Sequence, residues 1–307
     1  MNKTIDLREL STQDLQILVG PQDQYLKEIE SAFQSLIILR DHHFIIDGKE
    51  EAFSILEELV RFVRINHSLS LSEVQFLIQN SQKAGLGLVD QIQIGRTSSG
   101  KRINPKTLGQ YHFAKAMENN TIVVAIGPAG TGKTFLAVVK AVTALKNREV
   151  DRIVLTRPAV EAGESLGFLP GDLKEKVDPY LTPLYDALHA MLGSEQTERL
   201  MEKGIIEVAP LAYMRGRTLE NAYIILDEAQ NTSSAQMKMF LTRLGFHSKM
   251  IIAGDISQVD LKDQVMSGLL DVQHRLAHVQ DIAIVVMDGR DVVRHPLVQK
   301  IIEAYEQ

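Results

Sequence analysis

The run Gly127-Pro128-Ala129-Gly130-Thr131-Gly132-Lys133-Thr134 constrains this chain more than any other stretch. It has the spacing G-x-x-x-x-G-K-[ST] of a phosphate-binding P-loop. An apolar run, Thr121 to Ile126, precedes it, and an apolar-periodic run, Phe135 to Leu145, follows it. Strand, glycine-rich loop and helix in that order are the context the motif demands. Glycines let the loop wrap tightly and turn its backbone N–H groups onto phosphate oxygens. The helix N-terminus adds positive potential at the same place. Lys133 is expected to reach the β- and γ-phosphates, and the Thr134 hydroxyl to ligate Mg²⁺.

Composition narrows the setting. The chain has no cysteine, so disulfides, thiolate catalysis and Cys-ligated zinc are excluded. No apolar run approaches the ~18 residues of a bilayer span, and Met1 to Glu9 carries charges rather than an apolar signal core. A cytoplasmic location away from the membrane is expected. The net charge of −6 is unevenly spread. Residues 1–94 hold 8 basic and 14 acidic side chains, whereas residues 95–307 hold 25 of each. A nucleic-acid-binding module usually presents a basic face, so the acidic excess argues against strong phosphate binding by the N-terminal part.

Three segments follow from the pattern. Residues 1–94 read as β-α-turn-α-β-β-α with a trailing helix, the order of a KH-type RNA-binding module, in which a GXXG loop clamps nucleotides. Here that loop is Gly20-Pro21-Gln22-Asp23, and its closing carboxylate would repel phosphate. Residues 95–105 are rich in Gly, Ser and Pro and read as a linker. From Gly95 to Met117 there are five Lys/Arg and no acid, a strip suited either to RNA or to solvent. Residues 106–307 alternate uniformly apolar strands with helices, which predicts a parallel sheet covered on both faces. The expected fold class is therefore α/β: a P-loop NTPase parallel sheet with a smaller N-terminal α+β KH-like domain.

The chemistry continues downstream of the P-loop. Tyr223-Ile224-Ile225-Leu226 runs into Asp227-Glu228, a Walker B element. Ending beside the P-loop, such a strand lets Asp227 hold Mg²⁺ and Glu228 polarise a water for attack on the γ-phosphate. Gln258, after the next strand, can sense the γ-phosphate and that water. Gln110 lies upstream, where a side-chain amide could read the adenine edge. No N-K-x-D guanine-reading motif occurs, so ATP is favoured over GTP. His274 and His278 stand four apart on an expected helix, without a third ligand nearby, and read as surface or packing residues.

Together these residues resemble the PhoH-like family of ATPases, related to the first RecA domain of superfamily 1 helicases. The matching stretches are Gln110, Gly127–Thr134, Thr156-Arg157-Pro158, Asp227-Glu228-Ala229-Gln230-Asn231, Gly254-Asp255-Ile256-Ser257-Gln258 and Arg290 to Val298. The resemblance implies an ATP-binding protein of RNA metabolism, a hexameric assembly, and pairing with a YbeY-type endoribonuclease. It leaves open whether hydrolysis drives RNA remodelling or serves as a slow switch on an RNA-binding scaffold. Only about 50 residues follow Gln258, against the ~150 of an ordinary domain. The arginine that helicases take from a second RecA domain is therefore expected from a neighbouring subunit or not at all, with Arg290 and Arg294 as candidate donors.

Overall fold

The computed structural model describes residues 2–82, 93–158, 173–261, 266–293, 297–298 and 301. The chain forms two compact units, Met1–Ile92 and Gln93–Gln307.

The first unit runs β1 (Asn2–Asp6), α1 (Thr12–Val19), α2 (Gln24–Phe33), β2 (Leu36–Arg40), β3 (His43–Asp47), α3 (Glu50–Asn66) and α4 (Leu71–Gln82). This is the element order the sequence predicts. The strands make an antiparallel sheet in the order β1-β3-β2. Leu18, Ile29, Phe44, Leu56 and Leu59 fill the core beneath it. Ser11 caps α1 through a reciprocal box with Asp14. The break after α1 is sharp because Gly20, Gln22 and Asp23 all take positive φ. Any side chain at Gly20 would strike the Tyr25 ring, only 2.6 Å from an added Cβ.

The second unit opens with β4 (Gly95–Arg96) and β5 (Arg102–Ile103), an antiparallel pair. The stretch 95–105 is thus not a linker. Ile94 is buried in the same core as α6 (Lys133–Lys146), and a Cβ on Gly95 would lie 2.6 Å from Val139. The Gly/Ser composition builds the hairpin turn instead: Gly100 sits at φ 84, and Lys101 N–H donates to Thr97 Oγ1 at 3.1 Å.

The remaining elements are α5 (Leu108–Asn119), β6 (Ile122–Ile126), β7 (Arg152–Arg157), α7 (Leu173–Leu192), α8 (Ser194–Glu202), β8 (Ile206–Pro210), β9 (Ala222–Leu226), α9 (Ser234–Leu241), β10 (Lys249–Gly254), α10 (Gly268–Leu276) and β11 (Ile282–Val286). A helix expected near 163–167 lies outside the described residues. The six strands from β6 on are parallel and ordered β11-β6-β10-β9-β7-β8. Alternate residues of each strand serve opposite faces. Val123 and Ala125 join α5, α6 and α7 in one core; Ile122, Val124 and Ile126 join α9 and α10 in the other. Both faces being covered explains the unbroken apolar strands.

The Walker B strand β9 ends beside the P-loop, as expected, although β10 stands between it and the P-loop strand β6 in the sheet. The end of β10 therefore enters the gap between the two motifs and brings Asp255 with it.

Candidate functional site

Parallel strands open their C-terminal ends on one edge, where ligands of α/β sheets bind. The P-loop leaves β6 there. Gly130 and Gly132 adopt φ values of 87 and 83, a region other residues rarely visit. A Cβ at Gly127 would meet the Met287 carbonyl at 2.7 Å, so that glycine lets the loop pass under β11's end. Lys133 is the first residue of α6 and is 8% exposed. Its Nζ donates to Gly127 O at 2.7 Å, Pro128 O at 2.9 Å and Thr131 Oγ1 at 3.2 Å. Burial draws its pKa below that of an ordinary lysine, while Asp255, Asp227 and Glu228 hold it up.

Thr134 Oγ1 donates to Asp227 Oδ1 at 2.6 Å, which joins the P-loop to the Walker B strand. Asp227 is buried, and burial raises its pKa; the Thr134 hydroxyl lowers it, Glu228 raises it further and Arg157 lowers it. A hydroxyl beside a desolvated carboxylate is a hard-oxygen donor set that suits Mg²⁺. Among the described residues no group of three His, Cys, Asp or Glu could hold a metal alone. Mg²⁺ at Thr134 and Asp227 therefore fits as an ion shared with nucleotide phosphates.

Glu228 follows in a left-handed conformation, φ 52. Its two oxygens have different partners. Oε1 lies 3.2 Å from Arg157 Nη2, and Oε2 accepts from Gln230 Nε2 at 2.5 Å. Gln230 is fully buried, and its Oε1 accepts from Asp255 N at 2.9 Å. Asp255 in turn accepts from Ala129 N at 3.1 Å in the P-loop and from Ser257 Oγ at 2.6 Å. A chain of hydrogen bonds thus runs from the P-loop through β10 to Glu228. Lys133, Thr134, Arg157, Asp227, Glu228 and Gln258 line a common cleft of about 310 Å³. Gln258 is exposed on its rim, with its backbone N–H on Asp255 O at 3.0 Å.

Gln110 has its amide engaged by the protein itself. It is 5% exposed; its Nε2 donates to Thr131 O at 3.0 Å, and its Oε1 accepts from Lys106 N at 2.8 Å. The amide braces the P-loop from behind. Sequence position alone suggested an adenine contact because α5 precedes the P-loop strand; the fold turns the side chain onto the loop backbone instead.

Arg290 is also placed differently from the motif residues. Arg290 is exposed in a short 3-10 turn, Gly289–Asp291, and is not among the residues lining the cleft. Asp291 fixes that turn by accepting from Gly109 N at 3.1 Å, and Val293 N donates to Gly130 O at 3.0 Å. The segment is thereby tied to the P-loop of its own chain. Arg294 lies outside the described residues. Arg217 makes a two-pronged pair with Glu207, both contacts 2.6 Å. His274 lies in α10, but His278 falls beyond its last turn, so they share no helix face.

Sequence reasoning gave no role to Arg157, Gln230 or Asp255. Their signal was present in the motifs they belong to, but their partners are set by strand order, which no spacing reveals.

A PhoH-like protein family model matches residues 102–306. The PhoH-like protein of Bacillus subtilis (strain 168) is 56% identical over 297 residues, covering 94% of this chain and 93% of that one. Protein PhoH of Escherichia coli (strain K12) is 46% identical over 264 residues, covering 85% of this chain and 72% of that one. Among solved structures, a Pif1 helicase from Candida albicans is similar at 13% identity and a TM-score of 0.34, over 64% of this chain and 41% of that one. With a family match spanning the whole cleft and a relative alike across 93% of its length, the chain belongs to the PhoH-like protein family, and its second unit is a P-loop nucleotide-binding domain.

Proposed function

We propose that the protein binds ATP with Mg²⁺, hydrolyses it at this cleft, and uses the cycle to remodel RNA. The observation that carries the hydrolysis reading is the Thr134–Asp227 contact of 2.6 Å, with Glu228 as the next residue and facing the same cleft. Loop N–H groups and Lys133 would hold the phosphates. Thr134 and Asp227 would hold Mg²⁺, which supplies charge neutralisation on the phosphate oxygens. Glu228 would take a proton from the attacking water, and Gln258 would orient that water from the rim. With the Gln110 amide on the loop backbone, the choice of ATP in this proposal rests on the absence of a guanine-reading N-K-x-D motif.

RNA as partner rests on the family and on the β-α-α-β-β-α order of the first unit, which is that of KH modules. Single-stranded RNA is the class proposed. Assembly into a homo-oligomeric ring, with six copies, and pairing with a YbeY-type endoribonuclease are proposed on the family resemblance. A cytoplasmic site of action is part of the same reading; among the described residues no helix is long and apolar enough to cross a membrane.

The test is ATP turnover by the full chain with and without single-stranded RNA, together with strand displacement and the mass of the assembly. Stimulated turnover with displacement is the expected result. RNA binding that depends on ATP, with turnover unchanged by RNA and no displacement, would replace the motor with a switch. Turnover and nucleotide binding both indifferent to RNA would contradict the RNA assignment.

A further inference from the structure

We infer that Arg157, in the same subunit as the P-loop, supplies the cation that the γ-phosphate needs during hydrolysis. This assignment rests on the hydrolysis reading above and changes where its missing charge comes from.

The electrostatic need is visible in the cleft. Its described lining carries three carboxylates, Asp227, Glu228 and Asp255, against two cations, Lys133 and Arg157. Beside the Mg²⁺ that Thr134 and Asp227 would share with the phosphates, the transferring γ-phosphoryl group in this acidic cleft calls for a further cation beyond one lysine. Charge that develops on the transferring phosphoryl group is commonly met by an arginine. Arg290 is not in this lining, and its turn is held by Asp291 and Val293.

Arg157 is placed for the task by the sheet. Strands β7 and β9 are parallel neighbours, with Thr156 opposite Leu226. The Asp227 N–H donates to Thr156 O at 2.9 Å. Arg157 and the Asp227-Glu228 pair therefore leave the sheet side by side. The guanidinium is partly buried, its side chain 21% exposed, and it also lowers the pKa of the buried Asp227. Its five fixed donors can hold a carboxylate and a phosphate oxygen in turn or together.

The two ends of Glu228 give the exchange a definite course. Oε1 faces Arg157, while Oε2 is pinned by Gln230. When Arg157 turns to the γ-phosphate, Oε1 is released and Glu228 stays in place through Oε2. Oε1 then accepts one proton from water. The water oxygen forms a bond to the γ-phosphorus as the bond between that phosphorus and the β–γ bridging oxygen breaks. The bond's electron pair stays on ADP, and inorganic phosphate leaves. Arg157 touches the reacting phosphoryl group in this scheme and is a catalytic residue rather than a structural pair for Glu228.

The assignment is tested in the full chain with Arg157→Gln and Arg157→Lys. For Arg157→Gln the expected loss is about 10³-fold in kcat, with ATP affinity changed only a few-fold. Binding of ADP with aluminium fluoride, which mimics the transferring phosphoryl group, should weaken far more than binding of ADP alone. Arg157→Lys keeps the charge without the fork and should lie between; if Arg157→Gln fails to fold, this variant carries the test. Mixing Arg157→Gln with Lys133→Ala subunits should restore no activity, because each site would lack one of its own residues. Recovered turnover on mixing would place the arginine in trans and overturn the assignment. Wild-type turnover by Arg157→Gln, or equal loss of ADP and ADP–aluminium fluoride binding, would also overturn it. A wild-type chain without ATP turnover would sink the hydrolysis reading itself, whereas an active wild type with an unaffected Arg157→Gln sinks this assignment alone.

Discussion

Both units bury carboxylates, and they differ in what those carboxylates join: a helix start in the first, loops of different strands in the second. In the first unit, Asp14 and Glu73 are 6% and 3% exposed. Each answers a serine three residues away at a helix start: Ser11 Oγ reaches Asp14 at 2.7 Å, and Ser70 Oγ reaches Glu73 at 2.8 Å, while Asp14 also meets the exposed His67 Nδ1 at 2.9 Å. In the second unit, Asp227 and Asp255 are equally buried, at 6% each. Their partners include Thr134 and Ala129, far away in sequence and on another strand's loop, beside the local Ser257 on Asp255. Burial alone therefore does not mark a site. A carboxylate buried by a local cap stabilises a helix end; one held by distant loops gathers chemistry from several strands. Asp255 N–H is further bound to Gln230, so the second kind forms a chain and not a set of pairs.

Replacing Asp227 should show the largest contrast. Asp227→Asn keeps an acceptor for Thr134 but removes the charge that would hold Mg²⁺. Turnover is expected to fall about 10²–10³-fold, several kcal/mol of barrier. Stability should move the other way. The folded state raises the pKa of Asp227 above its ordinary 3.8, so the folded state binds the proton more tightly. The contribution of Asp227 to stability is then full below pH 3.8 and is lost as pH rises through the raised value. Asp227→Asn should melt higher than wild type near neutral pH, with the gap closing in acid. A variant that melts lower near neutral pH would place Asp227 with the caps.

A smaller effect is expected at Gln110. Gln110→Ala leaves the Thr131 carbonyl and the Lys106 N–H without that amide, at a cost of about 1–3 kcal/mol. The loss should appear as weaker binding of ATP and GTP alike, because the brace acts on the loop. Loss confined to ATP in equilibrium binding would restore the adenine-reading role. The smallest effect belongs to the first unit. Ser11→Ala removes one cap, worth ~1 kcal/mol of stability, and should leave kcat untouched. Altered turnover on this change, at a temperature where the variant is folded, would break the distinction between the two kinds of buried carboxylate.

The sequence made the local parts of this account readable. The P-loop and Asp227-Glu228 are short runs whose function depends on neighbours in the chain, and the structure brings them to one cleft. The order of the first unit followed from hydrophobic period and the break at Gly20. What failed depended on strand order or on turn chemistry with two meanings. Thr97-Ser98-Ser99-Gly100 suits a flexible linker and a hairpin turn equally, and only the burial of Ile94 decides between them. Gln110 carried the right residue type for a base contact, yet the approach of α5 to the loop gives its amide to Thr131. Arg157 stood within a recognised motif, but its place beside Glu228 follows from β7 lying next to β9.

In the proposed cycle one cleft separates holding the nucleotide from activating water, with Lys133 and the loop on one side and Glu228 on the other. Glu228→Gln tests it most directly, measured for ATP binding and steady-state hydrolysis on the same sample with Mg²⁺. Gln preserves the length of the side chain but cannot take the proton. The account predicts ATP affinity close to wild type with turnover reduced about 10²-fold or more, the scale of a lost general base. Hydrolysis at the wild-type rate, or loss of ATP binding in step with turnover, would contradict it.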